Sequence, residues 1–218
     1  MKILLTLLCV AAVAAPASAQ IRPPARPATT APSISLRPFV VVAGERFTAT
    51  KTFGTVFGQA VQPLWGGGLQ VAFRRGFYFD LTASRFQKTG QRAFFLDGQR
   101  YPLGIPLRVT LTPFEFTAGG RFRMAARVFA YAGVGAGSYA YTEKSDDSTD
   151  INETFDARHA GYLVVGGVEF RVSRWVAVSG DAQYTHVTGI IGSGGISKEA
   201  GESDLGGPAG RFRMIIGR

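Results

Sequence analysis

The stretch GGVEFRVSRWVAVSGDAQY, residues 166–184, decides the fold of this chain. Two mainly apolar runs meet at a short polar break, and charged side chains sit inside the runs at Glu169, Arg171 and Asp181. Apolar and polar residues alternate in both runs, which is the period of a β-strand with two unlike faces. Because an unpaired charge in an apolar interior is strongly unfavourable, one face of each strand must lie where charge is accommodated.

The same alternation recurs after residue 38 in segments of roughly ten residues, the pattern of transmembrane β-strands. No convincing amphipathic helix is predicted there. The predicted strands cover residues 39–49, 63–73, 76–87, 107–123, 128–142, 159–172, 175–187 and 209–217.

The connections between these segments alternate between short and long. The short ones are Arg74-Arg75, residues 124–126 and Ser173-Arg174 or slightly more, and the long ones are 50–62, 88–106, 143–158 and 188–208. Tight periplasmic turns and longer external loops alternate in this way in up-and-down outer-membrane barrels. The sequence therefore predicts an all-β fold, an eight-stranded antiparallel up-and-down transmembrane β-barrel over residues 39–218.

Parity along the predicted strands places nearly all the charge on one face, which we assign to the lumen. Eight strands leave an interior just wide enough for side chains to fill, so the charges there must pair. Such a lumen favours a structural core over a pore. The predicted lumen charge network consists of Asp80, Glu115, Arg121, Glu169, Arg171, Asp181, Arg211 and Arg213.

Register tests this assignment at the break between the sixth and seventh strands. A two-residue turn would put Glu169 and Asp181 on opposite faces, because a one-residue slip reverses the facing of every side chain. We therefore predict an odd-length turn or a bulge, with Arg171 opposite Trp175. Glu45 and Arg46 are consecutive, so the facing of the first strand stays open.

Aromatic residues gather near the ends of the predicted strands. Amphipathic rings anchor membrane proteins at the interface with water, and ordinary packing in a β-core is the alternative reading. The predicted interfacial aromatics are Trp65, Phe77, Tyr131, Tyr141, Trp175 and Tyr184.

The N-terminal segment follows the pattern of a secretory signal peptide over residues 1–19. Lys2 precedes an apolar run, and Ala17-Ser18-Ala19 forms a small-residue cleavage site. An uncleaved N-terminal helix is the alternative. Residues 20–38 contain five prolines and predict a periplasmic tether. The single cysteine, Cys9, lies within the signal, so the exported chain has no disulfide.

The net charge of +9 does not predict nucleic-acid binding, because the arginines are interleaved singly with apolar residues instead of forming one basic face. Anionic lipid headgroups or lipopolysaccharide are better counter-ions. His159 and His186 are the histidines of the chain, and neither lies in a nucleophile motif. We therefore predict no catalytic, cofactor-binding or metal site.

Two loops are candidates for ligand binding. The acidic loop carries Glu143, Asp146, Asp147, Asp150, Glu153 and Asp156, yet it lacks the order of an EF-hand. The glycine-rich stretch 189–207 lacks the order of a phosphate-binding loop. We interpret the first as a solvated external loop and the second as a flexible loop.

Three stretches carry a family resemblance: YAGVGAGSYAYTE (131–143), GYLVVGGVEFRVSRWVAVSGDAQY (161–184) and DLGGPAGRFRMIIGR (204–218). Together with the plan of strands and loops, they resemble the small eight-stranded outer-membrane barrels of the OmpA/OmpX-like and opacity-protein group. The resemblance implies a location in the bacterial outer membrane, insertion by the barrel-assembly machinery, and contact with outer-membrane lipid.

The leading functional hypothesis is a structural or surface-interaction role, with external loops that meet lipopolysaccharide or an unidentified ligand. The first alternative is a narrow pore or a transporter of small or hydrophobic molecules. The second is a secreted, soluble, calycin-like ligand binder, in which apolar residues would point inward and charges outward.

Overall fold

The chain folds into a closed barrel of eight antiparallel strands, each paired with its neighbours in sequence, with β1 also paired to β8. This computed structural model describes residues 34–96, 99–145, 154–192 and 195–217, so the predicted signal peptide lies outside the described residues. The strands are β1 (Ile34–Arg46), β2 (Val61–Phe73), β3 (Phe77–Leu96), β4 (Gln99–Arg123), β5 (Val128–Ser145), β6 (Thr154–Arg171), β7 (Val176–Val187) and β8 (Leu205–Ile216). The predicted fold class is confirmed.

The two faces of the wall differ as the alternation requires. Large apolar side chains such as Val40, Phe114 and Phe212 project outward and are about half exposed, whereas charged side chains such as Asp80 and Arg213 are buried inside. A soluble calycin-like binder needs the opposite arrangement. Short turns join the strands at one end of the barrel, called here the turn end, and the longer connections lie at the other, called the loop end.

Two predicted loops are wrong in part. In the predicted loop 143–158, β5 continues to Ser145 and β6 starts at Thr154. In the predicted loop 88–106, the described residues continue the β3–β4 ladder, and their pairing extends to Leu96 opposite Gln99. A bulge between Gln91 and Ala93 interrupts the register once. Cross-strand hydrogen bonds satisfy the backbone N–H and C=O groups of the paired residues. The segment is therefore a β-hairpin, where the sequence predicted an irregular loop.

The turn between β6 and β7 has the predicted odd length, but the predicted register is off by two residues. Arg171 pairs with Ala177 instead of Trp175, and Glu169 pairs with Ser179. The amide of Val172 donates to the carbonyl of Val176 at 3.0 Å, which closes a three-residue turn. Glu169 and Asp181 consequently face the same side of the wall.

The first strand begins at Ile34, five residues before the predicted start at Phe39. The predicted tether boundary at residue 38 is therefore misplaced, since Arg37 belongs to the barrel and its side chain is buried. The facing left open by the sequence is also settled here. Glu45 points into the barrel, and Arg46 is exposed.

Two short helices lie in the connections at the loop end, contrary to the prediction that helices are absent. Helix α1 (Thr50–Phe57) joins β1 to β2, and helix α2 (Gly195–Ala200) joins β7 to β8. The carboxylate of Glu202 accepts hydrogen bonds from the backbone amides of Lys51 and Thr52 at the start of α1, at 3.0 and 2.8 Å. Within the described ranges, no helix is both long and apolar enough to cross a membrane.

Glycine on the inward face of β5 makes room for aromatic side chains from other strands. Gly133 lies against the hydroxyl of Tyr78, which a Cβ at this position would approach to 2.5 Å. On β4, a Cβ at Gly119 would come within 2.2 Å of the carbonyl oxygen of Ala132 and within 2.7 Å of the same tyrosine ring. Such contacts leave no space for a methyl group, so these glycines set how closely the ring packs on the wall.

Candidate functional site

Side chains fill the barrel lumen in two layers. The ion pairs are concentrated in the half towards the turn end, and the largest cluster of apolar side chains lies in the half towards the loop end. The contents of the lumen decide whether a solute can pass, so this filled interior is the candidate functional site.

Glu169 is the centre of the ionic cluster nearest the turn end. Its carboxylate is 1% exposed and accepts two hydrogen bonds from Arg37, at 2.7 and 3.0 Å. Arg121 donates two more, at 2.6 and 3.2 Å. Arg37 also donates to Gln70, and the guanidinium of Arg121 stacks 3.7 Å above the ring of Phe129. One carboxylate therefore bridges two guanidinium groups, and the three groups together keep a net charge of +1.

Asp181 is the centre of a second cluster further inside. Arg211 pairs with one of its oxygens. The other oxygen lies 3.0 Å from Arg213 and accepts a hydrogen bond from Tyr131 at 2.6 Å. Arg213 also pairs with Asp80 at 2.8 Å, so the two arginines and two aspartates form a continuous network.

A third group links this network to the apolar layer. Glu115 accepts hydrogen bonds from Tyr139 at 2.8 Å and from Gln183 at 3.0 Å, and it lies 4.0 Å from Arg211. A cavity of about 20 Å³ lies beside Glu115 and is lined also by Glu45. This volume suffices for about one water molecule.

The apolar layer closes the loop end of the lumen. Phe53 of α1 stacks on Phe47 with ring centroids 4.2 Å apart, and both are buried with Phe86 of β3. Ile190 and Ile191, from the segment interpreted as a flexible glycine-rich loop, are buried in the same cluster. That interpretation is wrong for the described part of 189–207, because these isoleucines belong to the core. We call this cluster the apolar plug: Phe47, Ala49, Phe53, Val56, Leu64, Phe86, Leu107, Val109, Leu111, Tyr139, Tyr141, Val187, Ile190, Ile191 and Leu205.

Of the predicted lumen residues, the carboxylates Asp80, Glu115, Glu169 and Asp181 and the arginines Arg121, Arg211 and Arg213 lie in these clusters. Arg171 faces the same side near the turn end, where its guanidinium lies 5.1 Å from the ring centroid of Phe129.

The predicted lumen network lacks Arg37 and the polar partners Gln70, Ser179 and Gln183, which hydrogen-bond to its charged groups. Alternation could have found Arg37, since it has the parity of Phe39 and Val41, which also face inward. Arg37 precedes Pro38 in the proline-rich segment that was predicted to be a tether, so it was not assigned to a strand.

The predicted interfacial aromatics divide into two groups. Trp65, Phe77, Trp175 and Tyr184 project outward from the wall. Tyr131 and Tyr141 were predicted wrongly, because both are buried inside the barrel. Their hydroxyls donate to Asp181 and Glu143, both at 2.6 Å, and glycines on the inward face of β5 leave room for rings.

In the described part of the chain, the two histidines and the acids of the 143–156 loop do not come together in a catalytic or metal site. A ring nitrogen of His159 and one of His186 each lie 3.1 Å from an oxygen of Thr188. Glu143 is buried and Asp156 is exposed, so they face opposite sides of the wall. The other acids of that loop lie outside the described residues, and no group of three or more potential metal ligands occurs among those that are described.

The sequence matches the model of a family described as "Outer membrane protein beta-barrel domain" over residues 5–205. The chain belongs to this family. It is therefore an outer-membrane β-barrel protein of bacteria. No curated protein matches its sequence.

Among solved structures, the barrel is similar to Ail, the attachment invasion locus protein of Yersinia pestis, solved in complex with the heparin analogue sucrose octasulfate. The two are 11% identical with a TM-score of 0.50 over 85% of this chain and 97% of that one. Neisserial surface protein A is 11% identical over 85% and 96%, with a TM-score of 0.47. The N-terminal barrel of Pseudomonas aeruginosa OprF is 10% identical over 84% and 97%, with a TM-score of 0.43. At these identities, the likeness to Ail is one of fold.

Proposed function

We propose that this outer-membrane barrel has a structural and surface-interaction role and that its lumen does not conduct solutes. The proposal is based on the filled interior of the barrel. The ionic clusters around Glu169 and Asp181 occupy the turn-end half, and the apolar plug occupies the other half.

Opening a path through these layers would be energetically unfavourable. Removing one partner of a buried ion pair typically costs ~3–5 kcal/mol, and an ion in transit would have to displace several such partners. It would also have to leave water to pass the apolar plug, whose rings and aliphatic side chains replace little of its hydration. A narrow pore or a transporter, the alternative, requires both layers to move.

The loop end supports a role in surface contact. The β3–β4 hairpin continues for about ten residues beyond Arg85 and carries exposed Tyr101 and Leu103. Ail is similar in fold and was solved with a sulfated heparin analogue, which makes an anionic surface ligand worth testing for this chain as well. Contact with lipopolysaccharide and insertion by the barrel-assembly machinery are further parts of the proposal.

We propose no enzymatic role, since in the described ranges both histidines contact Thr188 and neither ring is hydrogen-bonded to a carboxylate. Cleavage of the signal peptide after residue 19 stays a prediction. The intact mass of protein purified from outer membranes tests it, because a mature chain would start at Gln20.

Planar-bilayer recording of the purified protein tests the closed lumen. We expect no stable single-channel steps from a preparation whose folding is verified by heat-dependent migration on SDS gels. Reproducible steps from that preparation would contradict the proposal and favour a pore. A Lys51→Ala variant, changed at an exposed position of α1, serves as a control and should be equally silent.

A further inference from the structure

A groove of about 850 Å³ lies on the outer wall at the turn end, on strands β1 to β3. Its lining is apolar except for two cations, both from the turn between β2 and β3. The described lining consists of Ile34, Phe73, Arg74, Arg75, Phe77 and Phe79. Sites that bind a small molecule or a cofactor have volumes of about 300–1,000 Å³, so the groove has the size of a ligand site.

Contacts between aromatic rings hold the apolar wall of the groove in place. Phe79 of β3 meets Phe73 of β2 edge to face and stacks on Phe116 of β4, with ring centroids 5.8 Å apart in both pairs. Phe77, next to the turn, is 62% exposed. Rings that already pack on one another lose little further freedom when a ligand binds, so the wall is preorganised for an apolar partner.

The described residues of the turn end carry exposed cations and no exposed acid. The exposed arginines there are Arg74, Arg75, Arg123, Arg127 and Arg174. Asp80 and Glu169, the acids of these strand ends, are buried in the lumen, where each pairs with an arginine. Within the described ranges, Arg74 and Arg75 form no ion pair and no side-chain hydrogen bond. A surface with one sign of charge attracts a partner of the opposite sign, here an anion.

The arginines of the groove lie at the depth of lipid headgroups. Arg74 follows Phe73 directly, and Gly76 alone separates Arg75 from Phe77. A strand rises about 3.3 Å per residue, and long basic side chains extend towards water, so both guanidinium groups lie just beyond the rings that face hydrocarbon. Short turns of such barrels face the periplasm, which places the groove in the inner, phospholipid leaflet of the outer membrane.

We propose that the groove binds one anionic phospholipid of the inner leaflet. An acyl chain lies along Phe77 and Phe79, and the headgroup phosphate lies between Arg74 and Arg75. A guanidinium group binds phosphate through charge-assisted, bidentate hydrogen bonds, and two of them together disfavour the ammonium of a zwitterionic headgroup. The site is on the outer wall, so the inference goes beyond the proposed function and does not depend on whether the lumen conducts.

Other occupants of the groove satisfy only part of it. A soluble anion would leave the aromatic wall uncovered, and an uncharged apolar molecule would leave both arginines without a counter-ion. Residues 20–33, which precede Ile34, contain two arginines and no acid, so this segment supplies no counter-ion either. A second copy in the same membrane would bring its own basic turns to the same level.

Native mass spectrometry of the protein purified from outer membranes in detergent tests the proposal. The probes are palmitoyl-oleoyl phosphatidylglycerol and the phosphatidylethanolamine with the same acyl chains. We expect one phosphatidylglycerol to be retained per barrel, with an affinity at least tenfold higher than that for phosphatidylethanolamine. The Arg74→Gln/Arg75→Gln variant should bind phosphatidylglycerol about tenfold more weakly and lose the preference between headgroups, because two charge-assisted contacts are removed. Phe77→Ala should weaken both lipids by about threefold and keep the preference, because it removes apolar surface and no charge.

The matched control is Arg127→Gln/Arg174→Gln, which removes the same charge from exposed positions in the other two described turns. It should change the affinity for phosphatidylglycerol less than twofold. Heat-dependent migration on SDS gels verifies that each variant is folded.

Equal affinity of the parent chain for the two lipids would overturn the proposal. An equal loss in the Arg127→Gln/Arg174→Gln variant would overturn it as well, since the response would then be to net charge alone. Full competition by millimolar glycerol phosphate would indicate a site for a free anion, and a dimer that retains no lipid would indicate a second copy in the groove; either result also contradicts the proposal.

Discussion

Replacing Glu169 with glutamine should strongly destabilise the barrel. The carboxylate is 1% exposed and receives four hydrogen bonds, from Arg37 at 2.7 and 3.0 Å and from Arg121 at 2.6 and 3.2 Å. Glutamine keeps the shape but removes the charge, and its amide nitrogen would face a guanidinium donor. Two buried cations would then lack their counter-ion.

We expect the Glu169→Gln change to lower the free energy of unfolding by about 3–5 kcal/mol, the range for breaking a buried pair. That corresponds to a loss of roughly two to four orders of magnitude in the folding equilibrium constant. The assay is guanidinium unfolding of the refolded protein in detergent or lipid vesicles, followed by tryptophan fluorescence. Asp156→Asn, at an exposed position, is the matched control and should change stability by no more than ~0.5 kcal/mol.

A double variant separates the loss of charge balance from the loss of packing. In Arg37→Gln/Glu169→Gln, the remaining cation is Arg121, whose side chain is 14% exposed and stacks on Phe129. The double variant should therefore lose at least ~1 kcal/mol less than the sum of the two single variants. Additive losses, or a Glu169→Gln cost below ~1 kcal/mol, would refute the role assigned to this cluster.

Three further changes test the outer wall, the glycine contacts and the apolar plug. Val134→Arg, at an outward position that is 64% exposed, should destabilise the membrane-inserted barrel by about 2–4 kcal/mol, and Val134→Leu should not, as measured by unfolding in lipid vesicles. Gly119→Ala should cost about 1–3 kcal/mol because its Cβ would meet the carbonyl oxygen of Ala132 at 2.2 Å and the ring of Tyr78 at 2.7 Å, whereas Gly180→Ala, with open space around it, should be nearly neutral; equal costs would contradict the packing argument. Phe53→Ala should cost about 3–5 kcal/mol and increase cleavage by protease at the loop end, and an effect no larger than that of Lys51→Ala would show that the plug contributes little.

Much of the fold follows from local sequence. Alternation with a period of two and the regular exchange of short and long connections identify an up-and-down barrel, because both are properties of consecutive residues. Parity then assigned Asp80, Glu169 and Asp181 to a single face without any knowledge of their partners.

The partners themselves required the closed barrel. Arg37 reaches Glu169 across the lumen, although the two are 132 residues apart in sequence, and its strand begins in a segment that composition marks as a tether. The positions of Tyr131 and Tyr141 could likewise not be predicted from the sequence. Periodicity cannot distinguish a ring that anchors in the interface from one whose hydroxyl reaches a buried carboxylate.

The sequence by itself determined the class of fold, the number of strands and the inward facing of Asp80, Glu115, Glu169 and Asp181, since each depends on side-chain alternation along single strands. The tertiary structure alone decided which arginine pairs with which carboxylate, and it showed that residues of two predicted loops contribute to the apolar plug. The physical reason is register: cross-strand neighbours are set by how many residues each connection holds, and closure of the barrel is needed to set them all at once.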